Sequence, residues 1–170
     1  MHELLNKHLP NGQRAFAPAL ISLAAAAFMA FATPSVAQDA GADVWRRGSC
    51  TTCHGGVAQG GGGGEDPMGP NLRESDLDRE LMRETIACGR GEMPFNLLGA
   101  YREVSCYGIP LGNPPEGFQA GARLSAEQID VLVEFLFEYV VGVTRVNRAA
   151  CAAFYGGDQN ARSCGQFPRR

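Results

Sequence analysis

Cys50-Thr51-Thr52-Cys53-His54 constrains this chain more than any other stretch. Two thiols three positions apart lie on one helical turn, and a histidine stands next to the second. That spacing is the attachment signature for a haem held through two thioethers. Each thiol can reach one vinyl-derived carbon of the porphyrin, which puts the imidazole of His54 beneath the ring and toward the iron. A group held this way cannot dissociate, which suits a site that cycles between redox states. Other readings of the five residues fare poorly. A structural zinc site needs a second pair of ligands, yet Cys88, Cys106, Cys151 and Cys164 are scattered singly and the other histidines are His2 and His8. A thioredoxin-like pair wants a strand before it and a βαβ pattern around it. Here a short polar helix precedes the pair and a glycine run follows.

The N-terminus bears on where such a site could be assembled. Lys7 and Arg14 precede an apolar run over residues 15–33, and Ser35-Val36-Ala37 forms a small-x-small site before Gln38. This is the layout of a secretory signal peptide, so residues 1–37 are expected to be removed. If the leader were retained, its 19 apolar residues would be barely long enough to anchor the chain in a bilayer. Cleavage after Ala37 leaves 133 residues, enough for one core. Export agrees with the cysteine count, because the four cysteines outside the motif can pair in an oxidising compartment. A bacterial periplasm is the expected location. The mature chain would carry 13 basic and 17 acidic side chains and no lysine, Lys7 being the only one. A net charge of −4 argues against nucleic acid as a partner, since phosphates need a basic face. Electrostatic steering would have to come from arginines or from a positive patch on the partner.

Along the mature chain the pattern is helical and punctuated. Residues 39–49 read as a short helix with Val44 and Trp45 on its inner side. Residues 55–64 contain seven glycines and read as a surface loop. This is not a phosphate loop, because no Gly-Lys-Ser/Thr follows. Ser75 is positioned to cap a helix reaching Cys88, with Leu77, Leu81, Met82, Thr85 and Ile86 as its inward stripe and Gly89 as its stop. Asp76, Asp78 and Glu80 would then occupy its first turn, where the helix dipole favours negative charge. Residues 90–123 hold no period and are broken by four prolines and six glycines, which predicts a long irregular strap. Ser125 and Gln128 form a capping box. Ile129, Leu132, Val133, Leu136 and Val140 follow at helical spacing, Phe135, Phe137 and Tyr139 widen the stripe, and Gly142 ends it. A further short helix is expected around 147–155.

Haem motif, Gly69-Pro70-Asn71-Leu72, Met93-Pro94-Phe95 and a closing aromatic helix occur in that order. Over residues 41–142 the chain resembles the class I mono-haem c-type cytochromes. The resemblance implies an all-α, cytochrome c-like domain over 38–142, wrapped around one covalent haem c, with long irregular loops and a disulfide-stapled extension over 143–170. It implies that the Pro70 carbonyl accepts a hydrogen bond from His54, fixing the ring and raising its basicity. It also implies that a methionine approaches the iron from the other side. Met68 is beside Pro70, on the wrong side, and Met82 is placed as core filler. Met93 is followed by a proline that forces it extended, as a strap over the ring requires. A thioether opposite a histidine stabilises ferrous iron. Gly41, Trp45 and Phe135 look like the residues through which first and last helices cross in this family, although Trp45 stands a residue further from Cys50 than the pattern leads one to expect.

Nearest-neighbour pairing favours Cys88–Cys106, which would close the segment carrying Met93, and Cys151–Cys164, which would pin the tail. The bridge over Met93 reads equally as a device that maintains iron–sulfur ligation and as a generic staple. The functional expectation is a periplasmic carrier of single electrons between redox proteins, rather than an enzyme, with Cys50, Cys53, His54, Pro70 and Met93 at the cofactor and His54 and Met93 on the metal. Two alternatives stay open: a haem-bearing subunit of a dehydrogenase or oxidase, and a haem sensor or gas-binding module with a labile sixth ligand. A membrane contact is expected only if the leader is retained.

Overall fold

The computed structural model describes residues 34–62 and 67–170, with side chains described from Gln38 onward. The expected leader, residues 1–37, lies outside the described part except for 34–37, which form the first turn of a helix.

That helix, α1 (Pro34–Arg47), is followed by α2 (Cys50–His54), α3 (Arg79–Cys88), α4 (Ala126–Tyr139) and α5 (Arg148–Ala152). The break between α1 and α2 is local. Gly48 N–H still donates to Val44 O at 2.7 Å, but Ser49 adopts the left-handed region at φ 54° and turns the chain before Cys50. This turn accounts for the longer offset between Trp45 and the motif.

The frame is the crossing of α1 over α4. Gly41 makes it possible, because a Cβ there would run into Phe135, whose Cγ would stand 2.7 Å away. Trp45 and Phe135 are both buried at the crossing. α4 begins as its capping box predicts: Ser125 Oγ accepts from Gln128 N–H, and the Gln128 side chain accepts from Ser125 N–H. Its buried stripe is Ile129, Leu132, Val133, Phe135 and Leu136, and Gly142 follows with φ 80°.

α3 starts later than the sequence suggests. Ser75 lies in extended backbone and its Oγ accepts from Leu77 N–H, while Asp78 takes the capping role by accepting from Leu81 N–H at 2.8 Å. Asp76, Leu77 and Asp78 therefore precede the helix. The shorter helix buries Met82, Ile86, Ala87 and Cys88, and it ends at Gly89, φ 73°, as expected. Arg79 reaches across to Glu134 of α4 at 2.6 Å, an exposed pair of small energetic weight.

The strap is more ordered than an all-α reading allows. Phe95–Leu97 (β1) pairs in parallel with Ala120–Leu124 (β2). Phe95 N–H donates to Gln119 O at 3.0 Å, and Leu98 N–H to Leu124 O at 2.8 Å. The buried Asn96 locks the pair to α3, donating to Ile86 O at 3.2 Å and accepting from Ala122 N–H at 3.0 Å. A three-residue strand leaves almost no period-2 signal, so pairing across more than twenty residues is invisible to pattern reading. Among the described residues the fold is thus five α-helices plus a small parallel sheet, closed by two disulfides, Cys88–Cys106 and Cys151–Cys164.

The C-terminal extension folds back onto the helix crossing. Asn147 caps α5 through Ala150 N–H at 2.9 Å. Phe154 then packs edge-on against Trp45 and Phe135, with ring centroids 5.6 and 5.0 Å apart. Arg46 donates to Phe154 O at 2.7 Å.

Candidate functional site

α2 is a single helical stretch that carries all three residues of the expected attachment. Cys50 and Cys53 are unpaired, whereas the four other cysteines are consumed in disulfides. Burial pushes the Cys50 thiol up to about 12, so it stays protonated. A neutral, desolvated thiol is a poor metal thiolate or redox nucleophile, and no cluster of three or more metal-binding side chains occurs among the described residues. Two unpaired thiols one turn apart do suit thioether attachment.

His54 ends the turn and is buried. Its Nδ1–H donates to Pro70 O at 3.1 Å. A carbonyl can only accept, so the proton belongs on Nδ1, and Nε2 is left with its lone pair free for a metal. Burial lowers the His54 pKa, and the bond to Pro70 opposes that shift. The ring is therefore oriented, neutral and available.

The loop after α2 is built to reach this carbonyl. Gly60 N–H donates to His54 O, and Gly62 and Gly69 N–H both donate to Cys53 O, each at 2.8 Å. A Cβ on Gly62 would collide with the backbone of Thr52 and Cys53, and one on Gly69 would stand 2.7 Å from His54 Nδ1. The glycine run is a loop, as read from sequence, but at Gly60–Gly62 its lack of side chains lets one backbone lie on another. Asn71 accepts from Arg73 N–H at 3.1 Å and Leu72 N–H donates to Ala58 O at 3.1 Å, which holds Pro70 in place.

Met93 is on a different element. It sits half-buried in a turn after α3, where Arg90 N–H donates to Met93 O at 3.1 Å and Met93 N–H to Arg90 O at 3.0 Å. Of the other methionines, Met82 is in the core at 2% exposure and Met68 is 80% exposed. Among the described residues, Met93 is thus the methionine that is neither locked in the core nor turned to solvent. Tyr101 and Tyr107 hold the strap to the end of α3, donating to Cys88 O at 2.8 Å and Gly89 O at 2.9 Å.

Two features escaped the sequence reading. Arg73 is almost completely buried, although nothing in its neighbourhood of sequence marks it so. Trp45 Nε1, Thr85 Oγ1 and one Arg73 nitrogen are buried without a hydrogen-bond partner. Buried polar atoms are nearly always satisfied. Trp45 lies 6.1 Å, centroid to centroid, from the ring of His54, so the unsatisfied groups include one beside the attachment turn. Together with the free thiols and oriented imidazole, that orphaned indole fits a large covalently held group. A cleft of about 390 Å³ lined by Leu81, Arg90, Tyr107 and Phe118 lies on the strap and does not include the α2 residues.

Residues 36–99 match the family model described as cytochrome c oxidase, cbb3-type, subunit III. That segment spans α1, the attachment turn, Pro70, α3 and Met93. No curated protein and no solved structure matches the chain.

Proposed function

We propose that this chain, whose residues 36–99 match a cytochrome c oxidase subunit III family model, is a cytochrome c-like protein: a periplasmic mono-haem carrier of single electrons between redox proteins, with His54 and Met93 as the iron ligands. The observation that carries this reading is the 3.1 Å bond from His54 Nδ1 to Pro70 O beside two unpaired thiols. A haem c bound there supplies the one-electron couple. Cys50 and Cys53 hold it, His54 presents Nε2, and Pro70 keeps the imidazole basic and in one orientation. Met93, on a strap tied to α3, offers a sulfur that favours the reduced state. If His54 and Met93 both held the iron, no position would be left on it for oxygen or a substrate, which would suit an electron carrier rather than an enzyme.

Purified mature protein tests this directly. It should be red, retain its pigment through acid–acetone extraction, show the long-wavelength band of methionine-ligated ferric haem, and bind carbon monoxide negligibly at neutral pH. A colourless protein overturns the attachment. A coloured one that binds carbon monoxide rapidly and completely turns the reading toward a gas-binding module. Met93→Ala should open the iron to carbon monoxide without releasing the haem.

A second reading, a haem-bearing subunit of a larger redox complex, is favoured by the subunit description of the matching family model and by the folded extension over 143–170. That extension holds five arginines against one acidic residue, Asp158. It is a preformed surface to which a protein with an acidic face could dock. Purification with a stoichiometric partner supports the subunit reading; purification alone from the native source supports the free carrier.

A further inference from the structure

Arg73 is 1% exposed, and no carboxylate lies within ion-pair distance of it among the described residues. Its Nε–H donates to Val57 O at 2.9 Å, and one terminal nitrogen donates to Val143 O at 3.0 Å. The other terminal nitrogen has no partner. The Arg73 carbonyl accepts from Gly142 N–H at 2.9 Å. One side chain thus ties the loop after His54 to the end of α4, and it does so with a charge. Isolated buried charges are rare because desolvation opposes them. Two backbone carbonyls satisfy hydrogen bonds but do not neutralise the cation. Burial lowers the guanidinium pKa, yet arginine stays protonated throughout the working range.

Val57, whose carbonyl Arg73 holds, is three residues from His54. Three residues span at most about 10 Å. The guanidinium therefore lies within about 13 Å of the His54 backbone. We infer that Arg73 is a positioning residue for the redox site, a fixed positive charge on the histidine side that raises the reduction potential of the iron His54 holds. The inference rests on the carrier reading. Reduction adds one electron, from a reduced redox partner, to the iron; no bond or proton moves at Arg73. A nearby cation opposes the ferric state, which carries the extra positive charge. At an effective dielectric near 20, a unit charge at this range shifts that equilibrium about five- to tenfold, or about 40–60 mV for one electron.

The clamp and the charge predict opposite signs. A weaker clamp loosens the Pro70–His54 bond, makes the imidazole less basic, and so favours ferrous iron. Loss of the charge favours ferric iron. The test is spectroelectrochemical titration at pH 6 of purified haem-bearing wild type, Arg73→Gln and Arg73→Lys, with thermal melting to report the clamp separately. Arg73→Gln should shift the equilibrium about five- to tenfold toward ferric, and Arg73→Lys should stay within about twofold of wild type while melting earlier. A potential in Arg73→Gln at or above wild type overturns the inference, as does an equal shift in both variants. If Arg73→Gln does not accumulate, Val143→Asp read against Val143→Asn decides, because Val143 is 36% exposed and its carboxylate would sit beside an intact Arg73. A lower potential for the aspartate supports the inference, and equal potentials overturn it. A colourless wild type fells the carrier reading and this inference together, whereas a coloured one with unshifted variants fells this inference alone.

Discussion

Replacing Cys88 and Cys106 together by alanine separates two roles for the bridge that closes over Met93. The cross-link spans 18 residues, and in the chain-entropy account its loss frees the unfolded chain by about 3 kcal/mol. Both sulfurs are buried, Cys106 completely, so the small voids left behind add about 1 kcal/mol. A loss of about 4 kcal/mol lowers the midpoint by roughly 10–15 °C for a domain of this size. The Met93 turn itself does not depend on the bridge. It is closed by the two Arg90–Met93 bonds, tied through Asn96 to Ile86 O, and anchored by Tyr101 and Tyr107 to Cys88 O and Gly89 O. Tyr107 N–H adds a bond to Glu84 at 2.8 Å. These contacts come from backbone atoms and side chains that the substitutions spare. Denaturant unfolding should therefore show the full stability loss. The ferric spectrum at 25 °C should keep its methionine band. A folded double variant that has lost the band would show that the bridge maintains ligation, and a loss below about 1 kcal/mol would refute the entropic estimate.

Other substitutions probe the remaining joints. Gly69→Ala should push the imidazole off Pro70, since the new Cβ would lie 2.7 Å from Nδ1 and 2.9 Å from Cε1; overpacking of this kind costs about 1–3 kcal/mol, and the reduction potential should rise as the ring loses its acceptor. Phe154→Ala, at the junction with Trp45 and Phe135, should cost about 3–5 kcal/mol in denaturant unfolding, and a change below about 1 kcal/mol would mean the extension is no part of the core. Ser125→Ala removes the α4 cap and should cost about 1 kcal/mol by the same measurement. His54 has its pKa lowered by burial from the ordinary value of 6.5, so the unfolded chain takes up a proton first. Stability should be full above about pH 6.5 and fall on acidification toward the depressed folded value. Iron ligation acts in the same direction. A thermal midpoint that stays flat between pH 7.5 and 5 would contradict this.

Several elements could be read directly because their causes are local. The capping box of Ser125 and Gln128 and the stop at Gly89 each involve groups within a few residues. Misreadings arose where two local signals competed. Ser75 and Asp78 are both competent caps, and the chain places Ser75 at the end of the turn Leu72–Glu74, which leaves the helix to Asp78. The cysteine pairings followed from proximity in sequence, which for short loops is also proximity in space.

The attachment turn is legible because Cys50, Cys53 and His54 must share one helical turn, a relation that residue spacing alone enforces. Burial of Arg73, the bond from Arg46 that seats Phe154, and the β1–β2 pair depend instead on segments 70, 108 and more than 20 residues apart coming together. Spacing carries no record of such meetings. They arise when the whole chain collapses and each backbone group left without water must find a partner, and that search ends differently for the same residues in a different fold.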